Sequence, residues 1–251
     1  MILELDCGNT LIKWRILSAE DPFPRYAGYA DSDGELLIQL KQIDGLQLQW
    51  GRFVSVRGDE ETRHLLELLS SSFHLSMQQA VASPFCAGVT NGYEDYQLLG
   101  LDRWLAILGG FQLAGKACLV IDLGTAITAD FVSGQGEHLG GYICPGLSLM
   151  RGQLQSHTRR IRYESDENGG AKQVLLPGRS TAEAVERGCL SMLRSFVKMQ
   201  CAQAAELLGP NFEVLLTGGD AYLVADVWAG AREVPDLVFR GLALACPLTR
   251  D

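Results

Sequence analysis

An apolar run that ends in an acid, a glycine and a hydroxyl occurs twice in this chain, and that repeat limits the possible folds more than any other feature. Leu119-Val120-Ile121 stops at Asp122-Leu123-Gly124-Thr125 and resumes as Ala126-Ile127-Thr128. At the start, Ile2, Leu3 and Leu5 lead into Asp6-Cys7-Gly8-Asn9-Thr10, followed by Leu11-Ile12-Lys13-Trp14. Aligning Asp6 with Asp122 also aligns Gly8 with Gly124 and sets Thr10 one place beyond Thr125. The spacing predicts a duplicated strand, tight turn and strand, and so two halves of similar topology. A chain of 251 residues with 47% hydrophobic content can supply a core for each.

The pattern along the chain supports this division. Three strand-like runs up to about Ala30 predict an antiparallel meander, the second and third joined by Glu20 to Pro24. Helices are expected from Asp33 to Gly45 and from Asp59 to Leu69. Strands are expected at Arg52 to Val56 and Leu75 to Ala82. A polar loop from Gly88 to Asp95 precedes a helix ending near Phe111. The second half repeats the order, with strands at Cys118 to Asp122, Ala126 to Ser133 and His138 to Ile143, then a helix from Ser148 to His157. Arg159 to Ala171 reads as a charged surface loop. The longest helix is expected from Thr181 to Leu208, with Val185, Cys189, Met192, Phe196, Gln200 and Leu207 on one stripe. A strand from Glu213 to Leu216 ends in Thr217-Gly218-Gly219-Asp220, and a helix (Ala221 to Ala229), a short strand (Arg232 to Val234) and a last helix (Leu237 to Ala245) follow. The expected domains are therefore 1–115 and 116–251, each an α/β unit.

Charge and cysteine usage exclude several function classes. With 21 Lys and Arg against 30 Asp and Glu, neither a nucleic acid nor an anionic membrane is an expected partner. The seven cysteines contain no CxxC pair and suit a reducing cytoplasm. The four histidines have no metal-ligand spacing. Glu4 and Asp6 stand where a secretory signal would be basic, and no run approaches 18 apolar residues.

A glycine between a strand-ending aspartate and a threonine lets backbone N–H groups approach an anion, while the hydroxyl donates and the carboxylate can hold a metal. A single Asp-x-Gly is adequately explained as a hairpin turn. Two copies, with a third glycine turn at Thr217-Gly218-Gly219-Asp220, point to phosphate binding at strand ends.

The ordered set Asp6-Cys7-Gly8-Asn9-Thr10, Gly100-Leu101-Asp102-Arg103, Asp122-Leu123-Gly124-Thr125-Ala126-Ile127-Thr128, Gly140-Gly141-Tyr142-Ile143-Cys144-Pro145-Gly146 and Thr217-Gly218-Gly219 resembles the motifs of type III pantothenate kinases. These belong to the actin, sugar kinase and Hsp70-type ATPase superfamily. The resemblance implies an α/β fold of two actin-like (ribonuclease H-like) domains of similar topology, with mixed sheets flanked by helices and a nucleotide cleft between them. It implies transfer of the γ-phosphoryl of ATP to pantothenate, giving 4'-phosphopantothenate, the first step toward coenzyme A, by a cytoplasmic homodimer that uses Mg2+ and K+ or NH4+. On this reading Asp6, Cys7, Gly8, Asn9, Thr10, Leu11, Ile12 and Lys13 line the first phosphate loop, with Asp6 directed at magnesium. Gly124 and Thr125 form the second loop, and Gly218 and Gly219 approach adenosine. Asp122 resembles the ligand of the monovalent cation; a second magnesium-side carboxylate is the alternative. Asp102 is implied as general base, though a helix N-cap explains it too. Gly100, Leu101, Arg103 and Tyr93 (or Tyr96) are implied at pantothenate. Thr181 is either a substrate contact or part of the capping box begun by Ser180 and Glu183. Met192, Leu193, Phe196, Val197 and Met199 offer material for a dimer interface. A non-catalytic nucleotide-binding regulatory factor and a sugar or carboxylate kinase are the alternative functions.

Overall fold

The computed structural model describes residues 1–18, 23–157 and 176–247. The expected surface loop at 159–171 and most of the connection from Glu20 to Pro24 lie outside these residues.

The chain forms two compact units, residues 1–112 with 237–251, and residues 113–236. In the first, β1 (Ile2–Cys7), β2 (Ile12–Leu17) and β3 (Pro24–Ala30) make the expected antiparallel meander, and β4 (Trp50–Ser55) and β5 (Ser76–Gln79) add in parallel, in the order β3-β2-β1-β4-β5. Helices α1 (Asp33–Lys41) and α2 (Asp59–Phe73) cross between strands. A small hairpin of β6 (Phe85–Cys86) and β7 (Val89–Thr90) leads into α3 (Leu101–Ala114). Alternation along β1 and β2 sends Leu3, Leu5, Ile12, Trp14 and Ile16 into a core shared with Leu36, Leu40, Leu65 and Leu69 of the helices.

The second unit repeats the sheet. β8 (Cys118–Leu123), β9 (Ala126–Val132) and β10 (His138–Pro145) form a meander, and β11 (Glu213–Thr217) and β12 (Arg232–Glu233) continue in parallel, in the order β10-β9-β8-β11-β12. Helices α4 (Leu147–His157) and α5 (Thr181–Leu208) complete it. The duplication read from the two turns thus extends to all five strands.

Three expectations need correction. The last helix, α6 (Leu237–Ala245), packs on β1 and β4 and belongs with the first unit, although 116–251 had been expected to stay together. Its docking is charged: Glu4, fully buried in mid-strand, pairs with its cross-strand neighbours Arg15 and Arg52, and Arg52 donates to the Cys246 carbonyl at 2.9 Å. Arg15 also lies 4.6 Å from the centre of the Phe239 ring. Second, Ala221 to Ala229 is not a helix: a 3-10 turn at Ala221–Leu223 is followed by tight turns, because Asp220 N–H is tied to the Leu123 carbonyl and Val234 N–H to that of Leu216. Third, the buried line of α5 runs through Val185, Cys189, Leu193, Val197 and Cys201, leaving Met192 and Leu207 exposed. Steps of four residues follow the inclined ridge with which a helix lies on its neighbours. Burying Leu193 or Val197 in this way contributes about 1.5–3 kcal/mol each.

Candidate active site

Asp6 and Asp122 are the penultimate residues of the central strands β1 and β8, in matching positions, as the repeat required. The turns differ in length. Gly8 N–H closes on the Leu11 carbonyl at 3.0 Å across a four-residue connection, whereas Gly124 N–H closes on Ala126 at 3.1 Å. In the first unit, antiparallel register sets Asp6 opposite Lys13, whose Nζ lies 3.8 Å from Asp6 Oδ2. Asn9, Thr10 and Leu11 are exposed at the turn. Cys7 and Ile12 turn their side chains into the core, so only their backbone can serve a ligand. Burial holds the Cys7 thiol up at about 12, which keeps it inert.

Burial also raises the Asp6 carboxyl to about 6; Lys13 opposes the shift and Asp102 adds to it. A carboxylic acid with a raised folded value favours the folded state most below about pH 4, and that contribution is lost as pH rises through 6. Asp6→Asn is therefore expected to stabilise the protein by about 1–3 kcal/mol at pH 7.5 and by little at pH 4. Denaturant unfolding at the two pH values checks this; no gain at pH 7.5 would mean that the buried charge is already compensated. The desolvated, singly paired carboxylate fits magnesium, which keeps most of its waters and takes few protein ligands. Among the described residues, no three His, Cys, Asp or Glu side chains are grouped to enclose a metal.

Asp102 stands in the first turn of α3, its Oδ1 accepting from Arg103 N–H at 2.8 Å. A side chain at Gly100 would put its Cβ 2.8 Å from that oxygen, so Gly100 lets the carboxylate fold back over the helix start. Arg103, only 5% exposed, donates from Nη1 to the Tyr93 hydroxyl at 2.7 Å and lies 5.6 Å from the ring centre. Tyr93, rather than Tyr96, is thus the tyrosine joined to Arg103; the Tyr96 hydroxyl neighbours Gln97. Asn91, buried and absent from the sequence-based candidates, shapes this loop by accepting from Tyr93 N–H at 3.0 Å. The Asn91-Gly92 pair signals a turn but not the bond to Tyr93.

In the second unit the glycines crowd one carboxylate. A Cβ at Gly218 (φ +89°) would lie 2.5 Å from Asp122 Oδ1, and one at Gly124 3.4 Å from it. A side chain at Gly218 would therefore collide with Asp122 and with the Leu123 backbone, so that position requires glycine. Gly146 packs under the turn: its N–H meets the Thr125 carbonyl at 2.9 Å, and a Cβ there would lie 2.2 Å from the Gly124 oxygen. Thr181, exposed, heads α5; Ser180 caps it by accepting from Glu183 N–H at 3.2 Å. Glu183 reaches back to Arg179 N–H rather than to Ser180, so the capping box is displaced by one residue. Tyr93, Asp102, Arg103 and Asp6 belong to the first unit, and Asp122, Gly124, Thr125, Thr181, Gly218 and Gly219 to the second.

The chain is similar to known proteins in sequence and in fold. The family profile described as type III pantothenate kinase matches residues 2–203. A type III pantothenate kinase of Pseudomonas paraeruginosa is 58% identical over 248 residues, covering 99% of this chain and 100% of that protein. Among solved structures, a Baf family transcriptional activator from Campylobacter jejuni (22% identity, TM-score 0.58) aligns over 97% of this chain and 96% of its own. A 2-dehydro-3-deoxygalactonokinase protein from Sinorhizobium meliloti (10% identity, TM-score 0.54) aligns over 98% of each chain. These two likenesses show the sugar kinase and actin-like fold. On the family match and the full-length identity, this chain belongs to the type III pantothenate kinases.

Proposed function

We propose that the protein is an ATP-dependent pantothenate kinase, forming 4'-phosphopantothenate for coenzyme A synthesis. The observation that carries the reading, beyond family membership, is the Tyr93–Arg103–Asp102 group in the same unit as Asp6. It unites a guanidinium for the carboxylate of pantothenate with a carboxylate for its hydroxyl proton. Gly100 and Leu101 shape the start of α3 beneath that substrate. Asp102 accepts the proton from the primary hydroxyl as the γ-phosphoryl leaves ATP, and Lys13 places a point charge on a phosphate oxygen. Gly8, Asn9 and Thr10 bind phosphate through N–H and hydroxyl donors, and Gly124 and Thr125 supply donors of the same kind. Gly218 and Gly219 let backbone approach adenosine, and Thr181 meets a substrate hydroxyl. Mg2+ at Asp6, through water, and K+ or NH4+ at Asp122 offset phosphate charge.

The enzyme works in the cytoplasm, in keeping with seven free cysteines. It forms a homodimer in which Met192 and Met199, 64% and 60% exposed, meet the partner. Leu193 and Val197, also considered for that interface, are buried within their own unit.

The test is ADP release coupled to pantothenate, with sugars and other hydroxy acids as controls, and with K+ or NH4+ present and absent. Pantothenate-dependent, cation-stimulated turnover is expected. Turnover only with another alcohol would sink the substrate assignment, and ATP binding without any turnover would favour a regulatory factor.

A further inference from the structure

Arg57 lies outside every motif described so far. It follows β4 in the loop before α2, and its partly buried guanidinium ties three elements together. Nε donates to the Gly8 carbonyl at 3.2 Å, and Nη1 donates to Asp33 Oδ1, in the first turn of α1, at 2.7 Å. Its own N–H is held by Ser55 Oγ at 3.2 Å, and that hydroxyl lies 2.7 Å from Thr62 Oγ1 on α2.

In a trans peptide the C=O of one residue and the N–H of the next point in opposite directions. Fixing the Gly8 carbonyl on Arg57 therefore fixes the Asn9 N–H on the other side of the turn. The same bond takes the carbonyl's partial negative charge away from any anion approaching the N–H side. The guanidinium itself is poorly placed to receive that anion. It borders a cavity of about 650 Å3 whose other lining residues include Asp31, Asp33, Glu60 and Glu61, a field that repels phosphate.

We propose that Arg57, buttressed by Asp33, is a positioning residue for ATP: it sets the Gly8-Asn9 peptide so that the first turn offers N–H rather than C=O to the nucleotide phosphates. The inference rests on reading that turn as a phosphate loop. It implies that the strap acts on nucleotide binding and leaves the pantothenate side alone.

The test compares wild type with Arg57→Gln, Arg57→Lys and Asp33→Asn, measuring both KM values, kcat, the melting temperature and the Kd for Mg·ATP by calorimetry. Arg57→Gln is expected to raise the KM and Kd for ATP about tenfold, through loss of the charge-assisted bond to the Gly8 carbonyl, with the KM for pantothenate within twofold. Arg57→Lys restores part of the affinity, since an ammonium keeps the charge but cannot span Gly8 and Asp33 together. A folded Arg57→Gln protein with ATP affinity within twofold of wild type overturns the proposal, as does an equal rise in both KM values, the mark of a merely structural role. If Arg57→Gln does not fold, Asp33→Asn decides: at least a threefold rise in the ATP constants supports the strap, and unchanged constants overturn it. Wild-type protein that binds ATP but does not phosphorylate pantothenate would refute the kinase reading alone, because the calorimetric comparison stands without the second substrate.

Discussion

Asp102→Asn is expected to lower kcat by about 10^2–10^4-fold, the range that a positioned general base contributes, while both KM values stay within a few-fold of wild type. The substitution isolates the chemistry from the fold. An asparagine oxygen accepts the Arg103 N–H as the present Oδ1 does at 2.8 Å, so the start of α3 is preserved and the melting temperature should move by only a few degrees. What is lost is the ability to take a proton. The negative charge beside Asp6 is lost too, and since Asp102 helps to push the Asp6 carboxyl up to about 6, its removal lets Asp6 ionise at lower pH. Mg·ATP affinity below pH 7 should therefore hold or improve as turnover falls. If kcat stays within tenfold of wild type, Asp102 is a helix-start residue and the base lies elsewhere.

Glu4→Gln is expected to cost about 3–5 kcal/mol of stability, because two arginines that are 8% and 7% exposed would share a buried site without an anion. Arg52 Nε reaches Glu4 Oε1 at 2.6 Å on one side, while its Nη1 holds the Cys246 carbonyl on the other, so weakening the carboxylate also loosens the end of α6. Urea unfolding of the variant, with hydrogen exchange on the amides of α6, measures both effects. Replacing all three members by apolar residues of similar volume should recover most of the loss, since buried charge clusters are often matched by hydrophobic packing. A Glu4→Gln protein within 1 kcal/mol of wild type would mean that water reaches the cluster.

The features legible in the sequence were those whose cause is local. Each aspartate-glycine turn is written in one contiguous run, the strand breaking at an acid and a glycine, and β1, β8 and the bounds of α5 and α6 follow from apolar runs closed by such signals. The Glu4, Arg15 and Arg52 cluster could not be read this way. Its members are neighbours only once β1 is paired with β2 and β4, and the sequence separation hides the register. Arg57 escaped for the same reason: its partners, Gly8 and Asp33, come from two other elements. The segment after Asp220 has helical composition, but fixed hydrogen bonds at both ends leave a span that only tight turns can bridge. Asp6, Asp102, Arg103 and Tyr93 each lie in a motif that the sequence displays, but the bond between Tyr93 and Arg103 does not, because Asn91 helps to set how that loop folds.

Helix α6 also fixes an order of events during synthesis. A side chain at Gly241 would put its Cβ 1.9 Å from the Leu105 carbonyl, and one at Gly109 2.4 Å from that of Leu237, so α3 and α6 touch backbone to backbone. The helix bearing Asp102 gains that support only after residues 113–236 have left the ribosome, a delay of roughly 6–25 s at ordinary translation rates. The second unit is continuous and can close during that time, whereas the first, although made earlier, is completed last. A stalled or shortened product would expose the apolar flank of α3 and leave Arg52 without the Cys246 carbonyl it holds, and would be the form that chaperones and proteases meet.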